Sequence, residues 1–159
     1  IMSKTAQIEI RPADFNDPQL RHLVEAHHAY GAAHYPAESN HELSIEELAA
    51  DEMQSFTAWL DDQCVGMAGF KPFGADAAEV KSMHVLASGR GHGIGTKLIN
   101  HILNLANELQ ISEIYLETGS RDASAAARAM YEKFGFAYCG PFGDYHEDPE
   151  SVFMRLQLK

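Results

Sequence analysis

The chain has 159 residues, 45% of them hydrophobic and 9% aromatic, enough to bury the core of one globular domain expected over residues 2–159. Its formal charge of −11 would repel nucleic-acid phosphates, and no stretch nears the roughly 18 apolar residues of a membrane span. Two cysteines without CxxC spacing, Cys64 and Cys139, and no basic-plus-apolar leader point to reduced thiols in a cytoplasmic protein that engages neither membrane nor nucleic acid.

In chain order, residues 7–11 alternate as a short strand that Pro12 stops. Asp17-Pro18 reads as an N-cap with proline in the first turn, followed by Leu20, Leu23, Val24 and His27 at helical spacing. Residues 31–40 read as a loop holding His34, Tyr35 and Pro36, and Ser44-x-x-Glu47 is a capping box for a short helix. Residues 55–61 and 63–73 form a predicted hairpin. In the next strand, residues 78–85, Val80, Ser82 and His84 alternate with Glu79, Lys81, Met83 and Val85. His84 therefore faces away from Glu79 and packs, unless a bulge intervenes. Ile94, Leu98, Ile99, Ile102, Leu105, Ala106 and Leu109 mark an amphipathic helix. A strand over residues 111–117, an alanine-rich helix over 123–133 stopped by Gly135, and strands over 137–139 and 152–158 complete the chain. The order β-α-α-β-β-β-α-β-α-β-β, without repeats, predicts a mixed α/β fold.

Charge is distributed unevenly. Between residues 12 and 62 eleven acids meet one base, Arg21, for −10; between 71 and 99, Lys71, Lys81, Arg90 and Lys97 outnumber Asp76 and Glu79, for +2. Four glycines at alternate positions, Gly89, Gly91, Gly93 and Gly95, lie in this positive segment. A G-x-x-x-x-G-K-[ST] phosphate loop is excluded, because Ile94 and Thr96 stand where its second glycine must be. The G-x-G-x-x-G dinucleotide fingerprint fails on spacing. What remains is Arg90-x-x-Gly93-x-Gly95 after a strand and before a helix, where bare N–H groups and the helix dipole suit a pyrophosphate. A tight strand-to-helix turn is the plain alternative. Farther on stands Ala127-x-x-x-Tyr131-Glu132-Lys133-Phe134-Gly135-Phe136, a helix end with a natural glycine stop.

These two motifs, in this order, resemble the coenzyme A loop and the following helix and turn of the GCN5-related N-acetyltransferase (GNAT) family. The stretches "VKSMHV", "LETGS" and "CGPFGDYHEDPESVFM" are similar to a bacterial YsnE-like subgroup. The resemblance implies a mixed, mostly antiparallel central sheet flanked by helices, its central strands splayed into a coenzyme A cleft. It implies acetyl-CoA as cosubstrate, a small-molecule amine as acceptor and no metal. Members are often dimers, which leaves a homodimer open. Cofactor contacts fall on Met83, His84 and Val85 of the strand, on Arg90, Gly91, His92, Gly93, Ile94, Gly95 and Thr96 of the loop, and on Ser124 and Tyr131. Ser124 departs from the family, many of whose members carry asparagine there.

Acetyl transfer to an amine needs a proton acceptor for the nitrogen and a donor for the leaving sulfur. The resemblance makes Tyr131 the donor; cofactor contact or packing of the helix end are its other readings. Glu79 is the expected base and Glu117 the second candidate, because Lys81 on the strand face of Glu79 would hold that carboxylate ionised. Nine histidines show no metal-ligand spacing, and Tyr30, Tyr35, Trp59, Phe73 and Tyr145 could wall an acceptor pocket or fill the core. A non-catalytic acyl-CoA sensor and transfer of a different acyl group are the alternative functions.

Overall fold

The computed structural model describes residues 7–158; the remaining residues of the expected domain span lie outside the description. The elements are β1 (Ile8–Pro12), α1 (Pro18–His34), α2 (Ile45–Leu48), β2 (Gln54–Leu60), β3 (Gln63–Phe73), β4 (Ala77–Val85), α3 (Ile94–Glu108), β5 (Glu113–Gly119), α4 (Ala125–Lys133), β6 (Ala137–Cys139) and β7 (Ser151–Gln157). Their order matches the expectation. The seven strands form one sheet in the order β1-β2-β3-β4-β5-β7-β6. Among the described residues only β4 and β5 run parallel, joined by α3 as the crossover. The splayed, mostly antiparallel mixed α/β fold is thereby established.

Helix α1 is longer than the sequence suggested. Asp17 caps it by accepting from the Gln19 N–H, as expected, but the helix continues through Gly31 to His34. Gly31 is helical because its bare Cα makes room for Glu42: a Cβ there would lie 1.7 Å from that carboxylate. The capping box of α2 is complete, with the Ser44 side chain and the Glu47 carboxylate each holding the other's backbone N–H. Strand β5 starts two residues late, because the Ile111 N–H still closes α3 on Ala106 O while Gln110 takes φ 59°.

Each sheet face carries a core. On one, Ile94, Leu98, Ile99, Ile102 and Ala106 of α3 pack with Val80, Ile114, Leu116, Tyr131 and Met154. The five α3 residues are at most 2% exposed, and burying each large aliphatic chain contributes about 1.5–3 kcal/mol. On the other, Leu20, Leu23 and Val24 of α1 pack with Leu48, Met53, Cys64 and Met67. Cys64 and Cys139 are free thiols. Among the described residues no helix is long and apolar enough to cross a membrane.

The strand between these cores is broken in two ways. β4 pairs with β5 only from Ala77 to Val80, opposite Glu113 to Leu116. In its pairing with β3, Lys81 faces Gly69 and His84 faces Met67, so Ser82 and Met83 together oppose Ala68. This is a β-bulge, and Ser82 takes φ 54° within it. A bulge bends its strand and raises the local twist. Past it, β4 and β5 part.

Candidate active site

The parted strands floor a cavity of about 740 Å3 that runs from the glycine loop to α1 and the loop of residues 140–150. At one end, Gly91 and Gly93 take φ of 82° and 74°. No atom would meet a Cβ within 4 Å at either, so their bareness leaves a cradle over the start of α3. Gly93 is the N-cap of α3, with no side chain capping the first turn. Free N–H groups, the helix dipole, Arg90 and Thr96 around that cradle fit a diphosphate. The other two glycines serve packing: a Cβ at Gly89 would press on Val65, and one at Gly95 on Met130, each at 2.8 Å. Met83, His84, Val85, Arg90, Gly91, Gly93, Ile94, Gly95, Thr96, Ser124 and Tyr131 all line the cavity; His92 does not.

Tyr131 of α4 and Glu117 of β5 both line the cavity. Tyr131 is only 4% exposed, its ring edge-on to Phe136 at 5.7 Å. Burial, with the charge of Glu117 behind it, raises the phenol well above its ordinary range, so it stays protonated at neutral pH. Burial also pushes the Glu117 carboxyl up to about 7, against weaker opposing pulls from the Ser151 hydroxyl and Lys81. Glu117 is thus the carboxylate poised to exchange protons near neutrality.

Glu79 is committed elsewhere. Tyr145 Oη donates to its Oε2 at 2.6 Å, Lys81 Nζ donates to Tyr145 Oη at 2.7 Å, and Nζ lies 3.5 Å from the same carboxylate oxygen. Burial and the neighbouring Glu79 push the Tyr145 phenol upward. Over this triad His41 meets Tyr145 edge-on at 5.0 Å. The Ser39 hydroxyl donates to Asp148 Oδ2 at 2.6 Å, tying the segment after α1 to the loop of residues 140–150. Tyr35 Oη and Ser124 Oγ share a hydrogen bond of 2.8 Å, and the Arg121 N–H donates to that phenol. Tyr30, Tyr35 and Tyr145 wall the cavity. The other two aromatic candidates do not: Trp59 packs under Arg11, and Phe73 against Tyr115 and Phe142.

The bulge corrects the expectation for His84. Simple alternation put it opposite Glu79, but the extra residue returns it to the face of Glu79 and Lys81, where it lines the cavity. There its Nδ1 lies 3.1 Å from Nδ1 of His27 on α1. His27 was missed for the same kind of reason. Its partner is 57 residues away, and no local spacing signals the pair. Among the described residues no three His, Cys, Asp or Glu side chains gather as a metal ion would need.

A splayed β4/β5 pair with a glycine cradle at one end of the cleft defines an acyl-carrier-dependent transferase. The model of the Acetyltransferase (GNAT) family matches residues 18–136, and the chain belongs to that family and is an acyltransferase. It is 36% identical over 151 residues to the uncharacterized N-acetyltransferase YsnE of Bacillus subtilis (strain 168), covering 95% of this chain and all of that one. An IAA acetyltransferase of Azospirillum brasilense is 37% identical over 137 residues, 86% of this chain and 88% of its own. Among solved structures, the paia N-acetyltransferase of Thermoplasma acidophilum in complex with coenzyme A shares the fold at TM-score 0.75 and 19% identity, covering 95% of this chain and 99% of that one.

Proposed function

We propose that the protein transfers the acetyl group of acetyl-CoA to the amine of a small molecule by direct attack. The observation that carries this reading is one cavity holding the Gly91/Gly93 cradle, a buried protonated tyrosine and a carboxyl near 7. Arg90, Gly91, Gly93 and Thr96 would hold the diphosphate, and backbone groups of Met83 and Val85 the arm that follows it. Bound acetyl-CoA supplies an activated acyl carbon and a thiolate leaving group. Glu117 takes a proton from the acceptor ammonium, and Tyr131 gives its phenolic proton to the departing sulfur. Glu79, engaged by Tyr145 and Lys81, shapes the acceptor end rather than acting as base.

Tyr30, Tyr35 and Tyr145 narrow that end and the Ser39–Asp148 bond spans it, which suits a small acceptor better than a protein chain. The test is an amine panel with acetyl-CoA, read as free thiol and as acetylated product by mass. IAA, the compound named for the Azospirillum relative, is assayed beside the panel as a non-amine acceptor. Thiol release matched by acetylated amine supports the reading. Binding of acetyl-CoA without transfer to any amine would favour a sensor and overturn it.

A further inference from the structure

His27 and His84 have no part in the steps given to Glu117 and Tyr131, yet both line the cavity. Their Nδ1 atoms are 3.1 Å apart, with ring centroids 5.0 Å apart and planes at 69°. That centroid distance is close to the longest that such a contact allows, so the two nitrogens point at each other. Two lone pairs facing at this distance would repel, and two N–H groups would clash. One proton therefore lies between the rings, which puts them in opposite tautomers. A shared metal ion would need both lone pairs aimed at a third point, which a head-on pair does not offer.

The surroundings keep both rings neutral. Burial lowers His27 to about 3, with His84 and His28 adding to it, and burial with Arg90 lowers His84. His28 is itself held on Leu43 O at 2.9 Å, Tyr30 sets its ring edge-on to His84 at 5.9 Å, and Glu79 and Lys81 on the same β4 face pair with each other. Among the described residues no carboxylate is among the charges acting on either ring.

Proton counting gives the pair a task. An ammonium acceptor loses two protons in becoming an amide, and Glu117 accepts one at a time. We propose that His84 is a second proton acceptor for the acceptor nitrogen, and that His27 is a positioning residue that fixes its tautomer. The proposal rests on the acetyl-transfer reading above. Before attack, one N–H bond of the ammonium breaks and its proton goes to Glu117. Once the C–N bond has formed, a second N–H bond breaks and its proton adds to the bare Nε2 of His84. His84 Nδ1–H donates to His27 Nδ1 throughout, so the imidazolium forms without ring movement. Tyr131 protonates the sulfur and recovers a proton from Glu117. His84 releases its proton to solvent as product leaves. One proton reaches sulfur and one reaches solvent, which balances the reaction.

The test compares wild type, His84→Gln, His84→Ala, His27→Leu and His27→Asn, with the exposed His22→Asn as control, for kcat and KM against pH. Unfolding midpoints and acetyl-CoA affinity establish folding. Expected are a kcat loss of about a hundredfold for both His84 variants, with amine KM little changed. The acidic limb of log kcat should soften from slope two to slope one, and added imidazole should restore His84→Ala. His27→Leu should lose activity and His27→Asn, which keeps an acceptor for Nδ1–H, should recover most of it. A His84→Gln or His84→Ala protein that binds acetyl-CoA and keeps the wild-type pH profile overturns the proposal, as does loss of activity that imidazole leaves unmoved. Wild type transferring to no amine would instead sink the acetyl-transfer reading.

Discussion

Replacing Glu117 by glutamine should abolish activity and stabilise the protein together, and the second effect can be sized from the structure. Burial moves this carboxyl from its ordinary 4.5 to about 7, which is worth about 3 kcal/mol between its two protonation states. The sign follows from which state the fold prefers. Below pH 4.5 the group is protonated whether folded or unfolded, and it costs nothing. Between pH 4.5 and 7 the unfolded chain ionises this half-buried carboxyl while the fold keeps it protonated, so stability is lost; above 7 both states are ionised and the loss levels off. Between pH 5 and 8 that loss amounts to about 2.5 kcal/mol. Glutamine stays neutral, and all other titrations cancel in the comparison. Urea unfolding at both pH values should therefore find Glu117→Gln about 2.5 kcal/mol better relative to wild type at pH 8 than at pH 5, a midpoint gain of about 1 M for a typical m-value. Equal differences at the two pH values would refute the buried, raised carboxyl, and with it the argument for Glu117 as base.

Other consequences can be checked alongside. Tyr131→Phe should lower kcat about a hundredfold while calorimetry finds acetyl-CoA affinity nearly unchanged, and wild type should show no alkaline loss from this phenol up to pH 9, because its burial keeps it protonated. Gly93→Ala puts a side chain at φ 74°, which costs about 1–2 kcal/mol; it should weaken acetyl-CoA binding at least about tenfold by filling the cradle, whereas loss of stability without loss of binding would place the diphosphate elsewhere. Glu79→Ala leaves Lys81 buried without its ion pair and should cost about 3 kcal/mol in chemical unfolding. Glu79→Gln should keep the acidic limb of the wild-type pH profile, because Glu79 is not the proton acceptor.

Much of the fold was legible because local chemistry and tertiary need agree. Gln63–Phe73, the second hairpin strand, and Ala137–Cys139 fall at the expected bounds, and the Asp17 cap and the Ser44/Glu47 box form as read. The misses are places where a distant neighbour overrides a local rule. Gly31 breaks helices in isolation, but here it is the slot that admits Glu42. The two glycines that carry the cradle could not be told from the two that pack on Val65 and Met130, since only the fold reveals what each Cα faces. Lys81 beside Glu79 was readable as a damper on that carboxylate. Tyr145 as the third member was not, because it arrives from 66 residues away. The enclosure of Glu117 had no local signature either; Leu116 and Thr118 beside it do not tell it from any other carboxylate on a strand.

The extra residue at Ser82 and Met83 acts as a phase shift in the odd-even rhythm of β4. Everything before it and everything after it obeys opposite parity. Deleting either residue would restore regular alternation: Glu79, Lys81 and His84 would keep their common face, and the bend that parts β4 from β5 would be lost. Relatives compared along this strand are therefore comparable by face only when the shift is counted. A strand of equal length without the shift would exchange a chemical wall for a greasy one, without altering a single side chain's identity.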